Sequence, residues 1–169
     1  MDNNFVEDKF LIYVDNIYIK ILHAIMFDKL DTIKHFINDK LYNELKEKII
    51  NLKEKNLIDM YEMTNVKEAN IIEFKEINEK YIIKVKLISR YINYKMDKDS
   101  KKIIGNNKDR IQKENILTFE KNINTNIQNA SRKCPNCGAN MDINKNGKCE
   151  YCGSIYNLYD YDYILTSIE

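Results

Sequence analysis

This 169-residue chain lacks an excess of either charge, because 27 basic residues are balanced by 26 acidic ones. Tryptophan is absent, and there are only one proline and four glycines. A net charge of +1 provides no long-range attraction to a polyanion, which argues against nucleic acid as the partner. Internal repeats and low-complexity segments are lacking too. A chain of this length with 44% hydrophobic residues therefore predicts one core with at most a small module beside it.

Long hydrophobic runs are also missing. The apolar stretch from Phe5 to Phe27 is interrupted by charged residues that include Glu7, Asp15 and Lys20. It can be neither the hydrophobic part of a signal peptide nor a membrane span. We expect a cytoplasmic protein with no transmembrane segment, and attachment to a membrane surface stays open as an alternative.

Apolar residues recur at helical spacing in the first third of the chain. Phe10 and Ile17 belong to a stripe that predicts an amphipathic helix between Phe5 and Met26. Asp28 and Asp39 are each followed by apolar residues at the same spacing. This pattern predicts two further helices, each capped by the aspartate.

Residues rich in β-branched and aromatic side chains predict strands at 66–77, 81–96 and 110–123. In the second of these the apolar face changes near Ser89, which predicts a β-bulge there. Helices followed by a curved antiparallel sheet indicate an α+β fold.

All four cysteines occur in two CxxC pairs that are separated by eleven residues. The pairs are Cys134-Pro-Asn-Cys137 and Cys149-Glu-Tyr-Cys152. Two such turns can present four thiolates to one ion in a tetrahedron, with Zn–S distances of about 2.3 Å. Gly138 and Gly153 follow the pairs where the backbone must fold back, and Asn146-Gly147 predicts a hairpin turn between them. We therefore predict a zinc ribbon.

Disulfides and a thioredoxin-like redox pair are the other interpretations of these cysteines. A cytoplasmic location disfavours disulfides, and a redox pair does not need a second pair with a matching glycine. Four sulfur ligands suit Zn²⁺ better than hard cations, with iron as the competing metal. Since the four thiolates fill every position, the single ion is expected to be structural.

Four segments resemble motifs of the Tim44-like family, which is named for the motor anchor of the mitochondrial inner-membrane import machinery. Residues 81–94 resemble the family's long strand, and residues 104–106 resemble its glycine turn. Residues 117–121 and 163–168 resemble its "WxFxR" and "WxLxxI" strands, although Lys121 replaces the arginine and both tryptophans are missing. The resemblance covers nearly everything outside the cysteine segment.

The resemblance implies the curved cone of the nuclear transport factor two-like superfamily, with helices packed on a bent sheet. It also implies that the last strand belongs to the main sheet, so the ribbon is inserted before that strand. We accordingly predict the helices and main sheet in residues 1–130, the zinc ribbon in 131–157 and the closing strand in 158–169. The mitochondrial relative associates with the inner membrane and helps to hold the import motor, a role that does not simply transfer.

No catalytic constellation can be recognised in the sequence, since His23 and His35 lie in helical stretches without a carboxylate partner at a recognisable spacing. We predict a non-enzymatic binding or scaffold module that engages a protein or peptide through an apolar concave groove. Arg90, Tyr91 and Phe119 are the predicted lining residues. Two alternatives stay open: peripheral membrane association through the helical face, and small-molecule binding or catalysis in the cone pocket.

Overall fold

The computed structural model describes residues 5–123, 132–133, 137, 139–141, 149–153 and 163–169. Two α-helices, α1 (Glu7–Met26) and α2 (Asp39–Glu54), pack on an antiparallel sheet. The sheet contains β1 (Leu57–Ile77), β2 (Lys80–Asp97), β3 (Ile103–Ile104), β4 (Ile111–Asn122) and β7 (Ile164–Ile168). A separate two-stranded sheet pairs β5 (Arg132–Lys133) with β6 (Asn140–Met141). This arrangement confirms the predicted α+β class.

Helix α1 forms as the sequence predicts and buries one face against the sheet. Phe10, Val14, Ile17 and Ile21 follow one another at intervals of three or four residues and are all buried. Fully burying a side chain of this kind contributes about 1.5–3 kcal/mol. This stripe therefore fixes α1 on one face of the sheet. In the described part of the chain, no helix is long and apolar enough to cross a membrane.

The prediction of a second helix after Asp28 is wrong. Only a 3-10 turn forms at Leu30–Thr32, and Asp28, the expected cap, has a φ of 54° in the left-handed region. Leu30 and Ile33 are nevertheless buried. Their helix-like spacing arises because a tight loop packs on the core.

The predicted third helix forms as α2, but its cap is the residue before the expected one. The side chain of Asn38, rather than that of Asp39, accepts a hydrogen bond from the backbone N–H of Leu41 at 2.8 Å. Such a cap satisfies one of the free N–H groups of the first turn. Leu41 and Ile49 then bury the inner face of the helix.

Strand β1 begins at Leu57, well before the predicted start at residue 66. Its early part contains Asp59, a buried carboxylate in a strand that the apolar pattern alone does not reveal. The register of β1 against β2 shifts at three points, two of which lie opposite the segment around Ser89. Ser89 itself stays in continuous register with β4. The predicted bulge therefore exists near this position, but it lies in the neighbouring strand.

Strand β7 closes the main sheet. It pairs antiparallel with β4, with Leu117 opposite Ile168. On its other side the N–H of Leu165 donates to the carbonyl of Phe36 at 2.9 Å, and the N–H of Asn38 donates to the carbonyl of Leu165 at 3.1 Å. The last strand thus belongs to the main sheet. The predicted domain bounds after residues 130 and 157 lie outside the described residues.

Candidate metal centre and binding groove

The second cysteine pair lies on a tight turn. The backbone N–H of Gly153 donates to the carbonyl of Cys149 at 2.9 Å, and the φ of Gly153 is 72°. Glycine adopts this left-handed conformation without steric cost, as the sequence predicts for this position. The turn places Cys149 in a buried position and Cys152 at the surface.

Three sulfur atoms converge at this turn. The Sγ atoms of Cys137, Cys149 and Cys152 all lie within 4.8 Å of one another. Those of Cys137 and Cys149 are 3.7 Å apart, far beyond the ~2.05 Å of a disulfide bond. A tetrahedral ion with Zn–S distances of ~2.3 Å separates its ligands by roughly 3.8 Å. The spacing therefore fits metal ligation. Cys134, the fourth predicted ligand, lies outside the described residues.

Cys137 belongs to the β5–β6 hairpin. Residue 132 pairs with residue 141 and residue 133 with residue 140, so Cys137 lies in the connection between the two strands. The three converging thiols thus come from two segments that are separate in sequence. The hairpin turn predicted at Asn146-Gly147 lies outside the described residues, as does Gly138.

The structure does not bring together the three residues predicted to line a groove. Arg90 is exposed on the opposite face of β2 from Tyr91, and its Nε donates to the side chain of Gln112 at 3.2 Å. Phe119 has no exposed surface and contacts the ring of Phe10 with centroids 5.4 Å apart. Adjacent strand residues point to opposite faces, so Arg90 and Tyr91 cannot line one surface. Of the three, Tyr91 borders a cavity.

That cavity, of about 270 Å³, lies between the two helices and the inner face of the sheet. We call it the α2 groove. Its lining is mainly aliphatic and aromatic: Tyr18, Ile21, Leu22, Ile25, Leu41, Glu44, Leu45, Lys48, Tyr61, Tyr91, Asn115 and Ile168. A more polar cavity of about 640 Å³ shares three of these residues, Glu44, Lys48 and Tyr61. The two cavities therefore adjoin along α2, one apolar and one polar, and we call them together the recess.

A charged cluster lies where the two cavities meet. Asp59 is only 6% exposed, and its carboxylate accepts hydrogen bonds from Lys48 and Tyr61 at 2.7 Å each and from Asn93 at 3.1 Å. Burial would by itself raise the pKa of Asp59, but the Lys48 ammonium and the hydrogen bonds from Tyr61 and Asn93 hold that pKa below its ordinary value. Burial and the adjacent carboxylate raise the pKa of Tyr61. At neutral pH the cluster is therefore a carboxylate bound to an ammonium and a neutral phenol.

A second, neutral network lies deeper in the groove. The hydroxyl groups of Tyr18 and Ser89 are 3.0 Å apart, and Asn115 Nδ2 donates to the Tyr18 hydroxyl at 3.1 Å. All three residues are buried. Sequence reasoning missed this network, although Ser89 and Asn115 are polar residues inside otherwise apolar strands and so give a usable signal. The network satisfies the polar atoms of the apolar wall.

Comparison with known families covers the helices and most of the main sheet. Residues 1–130 match the family model of the Tim44-like domain. The chain belongs to the Tim44-like domain family. A search of curated proteins returns no match.

Tim44-like domains are associated with protein and membrane interactions and are not known as enzymes. For this Tim44-like domain, membership therefore suggests a scaffold or binding role. The matched range ends at residue 130, before the first cysteine. The metal centre thus depends on the three converging thiols alone, and they are compatible with a metal site.

Proposed function

We propose that this Tim44-like domain is a non-enzymatic binding module that engages a protein or peptide through the α2 groove. The observation that carries the proposal is the apolar α2 groove, about 270 Å³ in volume, which adjoins a polar cavity. Recognition sites commonly combine apolar walls with a few fixed polar groups. Here Tyr18 and Asp59 belong to those polar groups, and both are held by neighbouring side chains.

The recess is suited to binding more than to catalysis. Three of its ionisable groups are engaged with one another, because Lys48 and Tyr61 both bond to Asp59. A raised pKa keeps Tyr61 protonated, and a lowered pKa keeps Asp59 charged and paired. Neither group has the pKa near 7 that general acid–base catalysis favours. The cluster instead offers a rigid polar end to the groove.

We further propose that the converging thiols hold one structural Zn²⁺, with Cys134 as the fourth ligand. The 3.7 Å spacing of two thiols and the left-handed turn at Gly153 support this assignment. Four thiolates give a soft, closed coordination shell that favours zinc, with iron as the competing metal. In this proposal residues 131–157 form the ribbon, and residues 158–169 form the closing strand. Native mass spectrometry should find one zinc per chain, and a folded protein without metal would contradict the assignment.

The groove is tested with a random peptide display library selected against the purified chain. Leu45→Glu places a charge in the lining of the groove and should abolish binding of the selected peptides. Ile50→Glu is the matched control, because Ile50 is on the same helix and 43% exposed, and lines neither cavity. Selected peptides should bind this control as they bind the wild-type chain. Selection of no peptide, or equal binding to both variants, would refute the groove.

A second assay on the same variants distinguishes membrane attachment from peptide binding. Sedimentation with vesicles containing phosphatidylserine measures binding to an anionic surface. If the groove binds peptides, Leu45→Glu should not change the amount of protein that sediments with the vesicles. Strong sedimentation of the wild type and of Leu45→Glu alike would instead favour attachment to the membrane through another face of the helices.

A further inference from the structure

Among the residues that the structure describes, the first half of β4 is paired on one side only, and we call its other side the open edge. On one side the segment 111–115 pairs with β2 in continuous register. On the other side β7 covers β4 only from Ile116 onward, where Ile116 and Glu169 exchange backbone hydrogen bonds of 2.9 and 3.0 Å. Among the described residues, no strand pairs with 111–115 on this side.

The open edge offers backbone groups in a regular order. Ile116 directs its N–H and C=O toward β7, so the alternate residues Glu114 and Gln112 direct theirs to the same side. Both residues are exposed. An extended strand that continued the line of β7 would find two donors and two acceptors there.

The other edge of the sheet is less receptive. Strand β1 shifts register at three points, and Met63 adopts a φ of 51° within the first of them. Irregularities of this kind blunt an edge against pairing. The start of β4 is instead fixed, because the Arg110 guanidinium donates to the carbonyls of Met63 at 2.6 Å and of Arg90 at 3.3 Å. The open segment of β4 is therefore regularly paired with β2 and held in place at its start.

The open edge also borders the α2 groove. Asn115 lines the groove, and so does Ile168, which lies opposite Leu117 in β7. Side chains alternate along a strand, so a residue opposite Asn115 would continue the inward row that contains Ile168. That side chain would enter the apolar end of the groove.

The charge of Lys113, two residues before Asn115, indicates which side chain the partner should carry next to its apolar residue. Lys113 lies on the same face as Asn115, is exposed, and forms no ion pair with any described residue. The next inward position of an added strand would lie opposite Lys113. A carboxylate there would be complementary, since opposite charges that face each other across two strands attract.

We propose that β4 receives an extended peptide by strand addition, antiparallel to residues 111–115. The peptide carries an apolar side chain that enters the α2 groove, followed two residues later by aspartate or glutamate. Main-chain hydrogen bonds to the sheet edge supply affinity in this mode, and the alternate side chains supply specificity. The inference rests on the proposed function, because the same groove receives the partner.

A matched pair of substitutions tests the backbone contact. The library is selected against the full chain in its metal-bound form, and the best peptide is titrated by fluorescence anisotropy. Glu114→Pro removes the N–H that faces the peptide, whereas Glu114→Ala removes only the side chain. We expect about tenfold weaker binding to the proline variant and less than about twofold change with alanine. Lys113→Glu should shift selection from acidic to basic peptides.

Hydrogen exchange measures the same contact without a substitution. The selected peptide should slow amide exchange at Gln112 and Glu114 in the wild-type chain. A peptide that requires Leu45 but binds Glu114→Pro normally and leaves these two amides unprotected would overturn strand addition while the groove proposal stands. Selection of no peptide would overturn both.

Discussion

Replacing Asp59 by asparagine perturbs the cluster that joins the two cavities of the recess. The substitution keeps the shape of the side chain and removes its charge. One carboxylate oxygen of Asp59 accepts from Lys48 and from Tyr61, and the other accepts from Asn93. The variant thus changes three hydrogen bonds in one step without creating a cavity.

The size of the effect follows from the exposure of each partner. The side chain of Lys48 is 42% exposed. Losing its ion pair with Asp59 therefore costs only ~0–1 kcal/mol, as for other solvent-exposed ion pairs. Tyr61 is buried but can still donate to an amide oxygen. The half-buried Asn93 amide would keep only the Met60 carbonyl as a partner and would face the NH₂ group of the new side chain. An unsatisfied donor at the buried position 59 costs about 1–3 kcal/mol. We expect a total loss near 2 kcal/mol, which lowers the Tm by roughly 4–8 °C in a protein of this size.

The pH dependence gives a second, independent readout. Because the pKa of Asp59 is lower in the folded protein than in the unfolded chain, its contribution is fully present above the unfolded value of ~3.9. That contribution is lost as the pH falls through the folded pKa. The stability difference between wild type and Asp59→Asn should therefore be largest above about pH 5 and should shrink below about pH 4.

Urea denaturation followed by circular dichroism at several pH values measures both effects. Glu73→Gln is the matched control, since Glu73 is a sheet carboxylate that pairs with Lys75 and Lys84 on the more solvated surface. Its effect should stay within about 0.5 kcal/mol. An Asp59→Asn variant as stable as the wild type, or a difference that does not vary with pH, would refute the role assigned to the cluster.

Three further substitutions test the fold. Phe119→Ala empties the fully buried site against Phe10 and should cost about 3–5 kcal/mol in urea denaturation, and a loss below ~1 kcal/mol would contradict its place in the core. Asn38→Ala removes the α2 cap and should cost about 0.5–2 kcal/mol, while an unchanged midpoint would show that another group caps the helix. Gly105→Ala should cost about 1 kcal/mol or more through backbone strain, because the φ of Gly105 is 104°. A steric clash does not add to this cost, since the new Cβ would lie at an ordinary 3.8 Å from Tyr94 Cβ. A neutral effect would show that the turn relaxes.

Features that depend on local pattern could be predicted from the sequence. The stripe of α1 and the alternation of β2 each repeat over many residues, so a single exception does not hide them. The cysteine spacing is local as well, and the structure brings three of the four thiols together. Chemistry fixed by short spacing is thus recoverable before any tertiary contact is known.

Features that depend on distant partners could not be predicted. Ser89 marks a break in the apolar pattern of β2, and a bulge was a reasonable local explanation. The register shifts lie in β1 instead, and the polar side chain itself is accounted for by the hydroxyl of Tyr18, which is 71 positions away in the chain. The start of β1 could not be predicted for a similar reason, because the charged residue Asp59 interrupts its apolar pattern. The buried charge is tolerated because Lys48, on α2, forms an ion pair with it. The strand alternation rule could, however, have excluded a groove lined by both Arg90 and Tyr91.

We predict that the proposed ribbon affects the stability of the main sheet mainly through chain entropy, and this sets the expected effect of losing the proposed metal. The connection from Asn122 to Tyr163 spans about forty residues, and an ion that joins Cys134 to Cys152 shortens the effective loop to roughly half of that. The free energy gained from this loop shortening is only ~0.5 kcal/mol. Contacts next to β7 hold the strand independently: the rings of Tyr163 and Phe10 have centroids 5.1 Å apart, and the Tyr13 hydroxyl donates to the carbonyl of Tyr163 at 2.7 Å.

Cys149→Ser should therefore abolish zinc in native mass spectrometry and lower the Tm of the main sheet by only about 1–2 °C. Tyr151→Ala, which alters an exposed residue of the same turn, should change neither quantity. A fall of more than about 10 °C with Cys149→Ser would refute the entropic coupling, because a loss of that size requires direct packing of the ribbon on the sheet.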